Sequence, residues 1–171
     1  MKKHLFILLI AAVLATLQVK AQTNASEAVT IREGFKPPPP KFSKDQHVFF
    51  SYRAHKDEDG NGVLEFTFQI EEGWRLYAAT QKKGVPVKTV FTFQPSDKYQ
   101  VLGPLGAPYP TLAQDKTLKM DVAFYEHTVT FVQKLKLTPG GSMGHGQIIY
   151  MIGKEGHTEK PIKQDFAYMI M

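Results

Sequence analysis

From residue 47 onward the chain alternates apolar and polar side chains with a period of two, a pattern that specifies half-buried strands and not helices. Val48, Phe50 and Tyr52 alternate with Phe49, Ser51 and Arg53. Leu64, Phe66, Phe68 and Ile70 alternate with Glu65, Thr67, Gln69 and Glu71, and Met120, Val122 and Phe124 alternate with Asp121, Ala123 and Tyr125. Further strands are expected over residues 87–93, 98–102, 128–137, 146–152 and 164–170, separated by Gly, Pro, Asp and Asn clusters. Within 128–137, Val129, Phe131, Leu135 and Leu137 share one side and Gln133 is the one misfit. No amphipathic helix of ten residues survives outside the N-terminal leader, so the economical architecture is all-β, an antiparallel β-sandwich. Trp74, the sole tryptophan, follows Gly73 at the head of a short strand with Leu76 and is expected to anchor the core rather than stack on a ligand.

The N-terminus obeys different rules. Met1, Lys2, Lys3 and His4 form a basic stretch, an apolar run follows over residues 5–17, and Val19-Lys20-Ala21 is a small-x-small cleavage site. This order is that of a secretory signal peptide over residues 1–21, and the run is too short to span a bilayer. Removing it takes Lys2, Lys3 and Lys20 and no acids from the 21 basic and 16 acidic residues, leaving a net charge of +2 in place of +5. The basicity belongs largely to the leader and does not imply nucleic acid. With no later run of about 20 apolar residues and no Cys beside the cleavage site, neither a membrane span nor a lipid anchor is expected, and the location is periplasmic or secreted. Residues 22–44 are polar and carry four consecutive prolines, Pro37 to Pro40, a flexible Pro-rich segment with a polyproline II spacer. Residues 45–171 form the β-sandwich domain.

The chain contains no cysteine, which excludes disulfides, zinc–thiolate sites, Fe–S clusters and thiol nucleophiles. Asp57, Asp59, Asn61 and Gly62 imitate the first half of an EF-hand loop, but Phe68 stands at the twelfth position and a strand follows where a helix is required. The segment is expected to be a hairpin turn, with Asn61-Gly62 as its signal. Met143, His145 and His157, with Met151, offer soft ligands of the type that bind copper, although the spacing matches no known ligand pattern and the Gly-rich stretch around Met143 reads more simply as a loop. Ser142 lacks partners for a hydrolytic triad, and Gly-x-Ser-x-Gly is absent. No catalytic residue and no cofactor is expected.

Several segments taken together resemble a known family. Gly73-Trp74-Arg75-Leu76-Tyr77, the run from Gly84 to Thr89 leading into Phe91-Thr92-Phe93, the run from Met120 to Glu126, the run from Val129 to Lys134, and Tyr150-Met151 are similar in order and spacing to the N-terminal domain of DsbD, the bacterial thiol:disulfide interchange protein. The resemblance covers about residues 46–171 and implies an immunoglobulin-like fold. It also implies a redox site, in which a strand is followed by a Cys, a short acidic turn, a second Cys and a proline-rich exit. Gly153 and Thr158 stand at those two places, so the resemblance implies a site without its thiols. The family shields its cysteines with a cap loop bearing an aromatic residue; the matching segment is residues 114–119, with Leu118 at that place.

The expectation is a free-standing, exported, non-enzymatic domain that binds another envelope or secreted protein, with a thioredoxin-like protein among the candidates. Its expected contact surface carries Asp115, Leu118 and His157. Two alternatives stand beside it: an accessory component of periplasmic thiol:disulfide interchange, and a carrier of a metal or small ligand through Met143, His145 and His157. Intact mass of the exported protein should correspond to a chain beginning at Gln22, and a species retaining residues 5–17 would contradict both the leader and the location.

Overall fold

A computed structural model describes residues 41–140 and 142–171. The expected leader, and all but the last four residues of the Pro-rich segment, lie outside the described residues. The described chain is all-β: β1 (Val48–Lys56), β2 (Gly62–Ile70), β3 (Arg75–Tyr77), β4 (Val90–Phe93), β5 (Tyr99–Gly106), β6 (Thr111–Asp115), β7 (Met120–Tyr125), β8 (Thr128–Leu137), β9 (Ser142–Tyr150), β10 (Ile152–Lys154), β11 (His157–Thr158) and β12 (Ile162–Ile170). All pairings are antiparallel and form three sheets, ordered β1-β2-β8-β5, β12-β9-β4 and β11-β10-β3-β7-β6. This is an immunoglobulin-like β-sandwich, as the alternation and the resemblance led one to expect. Among the described residues, no helix is long and apolar enough to cross a membrane.

The alternating residues do close the core. Phe66 and Phe68 on β2 and Phe131 on β8 are fully buried on the inner face of the first sheet. Phe66 meets Phe91 of β4 and Phe166 of β12, while Phe68 meets Tyr150 of β9 edge-on. Tyr125 of β7 packs edge-on against Phe131, so the first sheet covers both of the others. Aromatic edges against aromatic faces add to the free energy of area burial, and they supply cohesion in a chain that has no disulfide. At Met151 the strand leaves one sheet for the next: β9 pairs with β12 and β4, whereas β10, two residues on, pairs with β3.

Three local details depart from the sequence expectation. The β1–β2 connection is a hairpin loop, with Lys56 opposite Gly62, but its left-handed residue is Gly60, at φ 78°, and not Gly62. Gly62 already belongs to β2, where an added Cβ would fall 2.8 Å from Leu137 and 2.9 Å from Ile170. What a larger residue would meet there is the ends of the Leu137 and Ile170 side chains, not a turn constraint. The Asp57 carboxylate accepts the N–H groups of Asp59 and Asn61 at 3.1 and 2.8 Å and pairs with Lys134 at 3.1 Å. Desolvation raises its pKa, but the Lys134 and Asn61 donors outweigh this and hold it below the usual carboxylate range. The would-be first calcium ligand is thus already occupied by the protein's own donors.

Second, Thr111–Asp115 forms an edge strand, β6, which the mixed composition there did not announce. It is recruited by pairing with β7 along its whole length. Third, Gln133 is buried among apolar neighbours, at 2% exposure. Opposite it the register of β5 slips between Leu102 and Gly106, with Gly103 at φ 65°, which leaves strand carbonyls without ladder partners. The Gln133 amide donates to the carbonyls of Leu102 and Lys134 at 3.0 and 3.1 Å. Replacing Gln133 by Leu should therefore lower stability by about 1 kcal/mol despite the gain in apolarity, because part-buried carbonyls lose their donor. A urea melt showing an unchanged or raised midpoint would show that water reaches those carbonyls.

Candidate functional site

The strand β3 is three residues long, yet it sits at the centre of its sheet, and residues 74 and 77 leave it on opposite faces. The β10–β11 hairpin pairs beside it, with Ile152 opposite Leu76 and Gly153 opposite Arg75. By alternation the hairpin then shows Gly153 and Thr158 on the Tyr77 side and Lys154 and His157 on the Trp74 side. The two aromatic side chains hold the hairpin from its two faces.

On the Trp74 face the indole is 5% exposed and lies flat on the His47 ring, with centroids 3.7 Å apart and planes 11° from parallel. The Lys154 ammonium stands 4.9 Å from the indole centroid and His157 approaches edge-on at 6.1 Å. His47 is anchored to Glu71 at 2.6 Å, and His157 to Glu159 at 2.7 Å. Trp74 is a core residue, as expected, and its surroundings also tether the base of the hairpin.

On the other face the Tyr77 ring is fully buried in a small second core with Val87, Val122 and Phe124. Its hydroxyl donates to the Asp115 carboxylate at 3.1 Å and lies 3.3 Å from the Thr158 hydroxyl. Because the single phenol proton is committed to Asp115, Thr158 must be the donor in the second bond. Burial pushes the Tyr77 pKa above its ordinary value; the Thr158 bond opposes this and the Asp115 charge adds to it. The phenol therefore stays protonated, as its donor role requires. The other Asp115 oxygen accepts the backbone N–H groups of Thr117 and Leu118 at 2.9 and 3.0 Å, which shapes the β6–β7 turn and lets Lys119 adopt φ 54°.

Gly153 and Thr158 stand directly opposite each other across the hairpin. The Glu159 N–H donates to the Ile152 carbonyl at 2.9 Å, which makes the enclosed pair a non-hydrogen-bonded one, the kind whose Cα atoms approach to about 4.5 Å. That spacing lies within the range a disulfide spans. The side-chain space, however, is taken: a Cβ on Gly153 would fall 2.7 Å from the Tyr77 hydroxyl oxygen and 2.8 Å from the His157 carbonyl oxygen. Backbone geometry alone would permit a bridge here, and the filled space beside Gly153 opposes one.

The three expected contact residues fare differently. Asp115 is 5% exposed, with its oxygens spent on Tyr77 and the turn, so it shapes the loop and does not face a partner. Leu118 is half-buried against the second core, and only part of it is presented outward. His157 is half-exposed, beside Trp74. What the surface offers above Tyr77 is mainly charged. Lys116 of the turn pairs with Glu155 of the hairpin, which holds Glu155 below the usual carboxylate range, and Arg75 pairs with Glu126 while lying 4.4 Å over the Phe124 ring. Arg75, Gln114, Lys116 and Glu155 ring a small depression whose floor is Asp115. Tyr77, which organises all of this, has no signal in the sequence beyond its place in the Gly73-to-Tyr77 motif, because its partners are 38 and 81 residues away.

The soft-ligand candidates divide between two places in the fold. Met143 and His145 lie at the start of β9, with His145 five residues of extended chain, or about 17 Å, before Tyr150, and His157 lies beyond the sheet switch that follows. His157 is therefore removed from that set. Among the described residues no three of His, Cys, Asp or Glu gather as a metal site.

An immunoglobulin-like sandwich with a short hairpin lodged beneath the β6–β7 turn defines a class of domain, and sequence comparison supplies the family. The pattern described as "Thiol:disulfide interchange protein DsbD, N-terminal" matches residues 39–150, and this chain belongs to that family. The match ends at the close of β9, before Gly153 and Thr158. No curated protein sequence matches. Among solved structures, the chain is similar to the reduced N-terminal domain of Neisseria meningitidis DsbD, at 17% identity and a TM-score of 0.50 over 70% of this chain and 83% of that one. It is also similar to the N-terminal periplasmic domain of ScsB from Proteus mirabilis, at 16% identity and a TM-score of 0.52 over 76% of this chain and 48% of that one. A third match is the Neisseria meningitidis complex of the DsbD and PilB N-terminal domains, at 18% identity and a TM-score of 0.47 over 69% of this chain and 80% of that one. The family's name refers to thiol:disulfide interchange, and this chain has no cysteine with which to perform it.

A Gly153→Ala variant should lose about 1–3 kcal/mol, the usual cost of overpacking, with part of that loss recovered when Tyr77→Phe removes the hydroxyl oxygen from the Cβ position. A double-mutant cycle by chemical denaturation measures this coupling. Strict additivity of the two changes would mean that the hairpin sits clear of the phenol.

Proposed function

We propose that this protein is a non-catalytic, protein-binding domain of the cell envelope that keeps the docking surface of its family without the redox chemistry. The observation that carries this reading is the Tyr77 network. Where Gly153 and Thr158 stand, a phenol hydroxyl fills the side-chain space and ties β3, the β6–β7 turn and the hairpin into one unit. Such a network has no exchangeable thiol and no acid–base pair open to solvent. It does hold two exposed loops in fixed relation, and preorganised loops lower the entropic cost of binding a macromolecule.

The surface so held is partly apolar at Leu118 and charged of both signs at Arg75, Lys116 and Glu155, which suits a polar, reversible protein contact and not a deep small-molecule pocket. The partner on this reading is another exported protein, and a thioredoxin-like one suits a family named for thiol:disulfide interchange. The correspondence of Gly153 and Thr158 with the redox positions, the leader at residues 1–21 and the periplasmic or secreted location all belong to this proposal.

A photo-crosslinking residue placed at Glu155, with Glu58 on the far β1–β2 loop as control, tests the surface in the living cell. A discrete protein adduct is expected from position 155 alone, and it should disappear when Lys116 is changed to Glu. No adduct from position 155, or the same adducts from both positions, would refute the surface.

A further inference from the structure

The outward face of the β9–β12 pair is polar along most of its length and then changes character at one end. Gln147 and Asp165 stand opposite each other and are hydrogen-bonded at 2.9 Å. Farther along, His145 is opposite Ala167 and Met143 is opposite Met169. Burial alternates along both strands, so that Ser142, Gly144 and Gly146 on β9 and Phe166, Tyr168 and Ile170 on β12 point inward, while these residues point outward. Met143 is 65% exposed and Met169 59% exposed, and Met171, next in the alternation, is 87% exposed. Methionine is ordinarily among the buried residue types. Here three of them, none contributing to the core, project on one side of the sheet next to an exposed imidazole.

Residues directly opposite on an antiparallel pair have Cβ atoms about 4.5–5.5 Å apart, and diagonal neighbours about 7–8 Å. Met143 and Met169 are opposite, and His145 is diagonal to Met169 and two residues from Met143 on the same face. A methionine side chain has three rotatable bonds, so both thioether sulfurs can converge on a point above the sheet that the imidazole also reaches. Strand β4 pairs with β9 as far as Gly146 and the Gln94 N–H still reaches the His145 carbonyl at 3.0 Å, but the outer face at Met143, Met169 and His145 is exposed. Two thioethers and one imidazole form a soft, neutral donor set, and softness selects Cu(I) over Zn(II) or Mg(II).

We propose that Met143, Met169 and His145 form a Cu(I)-binding site on the outer face of β9 and β12, with Met171 positioned to supply a further thioether. It is separate from the surface around Tyr77 and does not depend on the protein-binding reading.

The protein recovered from the envelope, titrated anaerobically with Cu(I) against the chromogenic chelator bicinchoninate, should withdraw one metal ion per chain. The Met143→Leu/Met169→Leu double variant keeps the apolar bulk and the strand pairing, so its metal-free melting midpoint should not move. Its Cu(I) affinity should fall by about 100-fold or more, since even loss of a residue that only orients a metal ligand costs 10–100-fold. His145→Ala should weaken binding without abolishing it, and X-ray absorption of the copper-loaded protein should show sulfur neighbours. Failure of the unaltered protein to compete with the chelator, equal competition by the double variant, or a copper environment of nitrogen and oxygen alone would each overturn the assignment.

Discussion

A phenol hydroxyl withdrawn from water must find hydrogen-bond partners inside the protein, and the way Tyr77 does so sets the arrangement around it. Its proton goes to Asp115 on β6 and it receives that of Thr158 on β11. Those strands are the two edges of a five-stranded sheet whose centre is β3, so one side chain joins both edges to the middle. Asp115, held in place, then organises the β6–β7 turn through two backbone N–H groups. Gly153 is the residue that makes room, because any Cβ there would collide with the hydroxyl.

The same contact helps keep the β10–β11 hairpin ordered in a chain that has no cysteine. The hairpin is held by Tyr77 on one face and by the Trp74 stack on the other. Both aromatic side chains are buried, so neither is presented at the surface. Stability elsewhere rests on aromatic side chains meeting edge to face between sheets, with Phe66, Phe68 and Phe131 as the interior layer.

The run from β9 into β10 also places two surfaces at the two ends of one nearly continuous strand. The Met143 end is open, soft and apolar, whereas the Gly153 end is ordered and charged. Switching sheets at Met151 is what separates them, since it turns the hairpin toward β3 and away from β12.

Period-two alternation determined the all-β class and the residues of the inner face by itself, because a strand has only two faces and one must be dry. Val48, Leu64, Phe66, Phe68 and Phe131 are buried as that rule demands, whereas β7 is buried on both faces, with Val122 in the second core and Tyr125 in the main one. The sequence also determined, from its composition, that this chain carries no thiol. What it left open depends on contacts between distant residues. Gln133 looked like an error in a strand until the slipped register of β5 exposed carbonyls opposite it. Asn61-Gly62 looked like the turn, yet Gly62 lies within β2 against the side-chain ends of Leu137 and Ile170, 75 and 108 residues away. Asp115 could be placed on a loop but not turned inward, and His157 could be counted with Met143 and His145 but not kept near them. Only the tertiary structure decided these points, because a hydrogen bond or a steric contact is a property of positions in space, and local periodicity constrains those only one strand at a time.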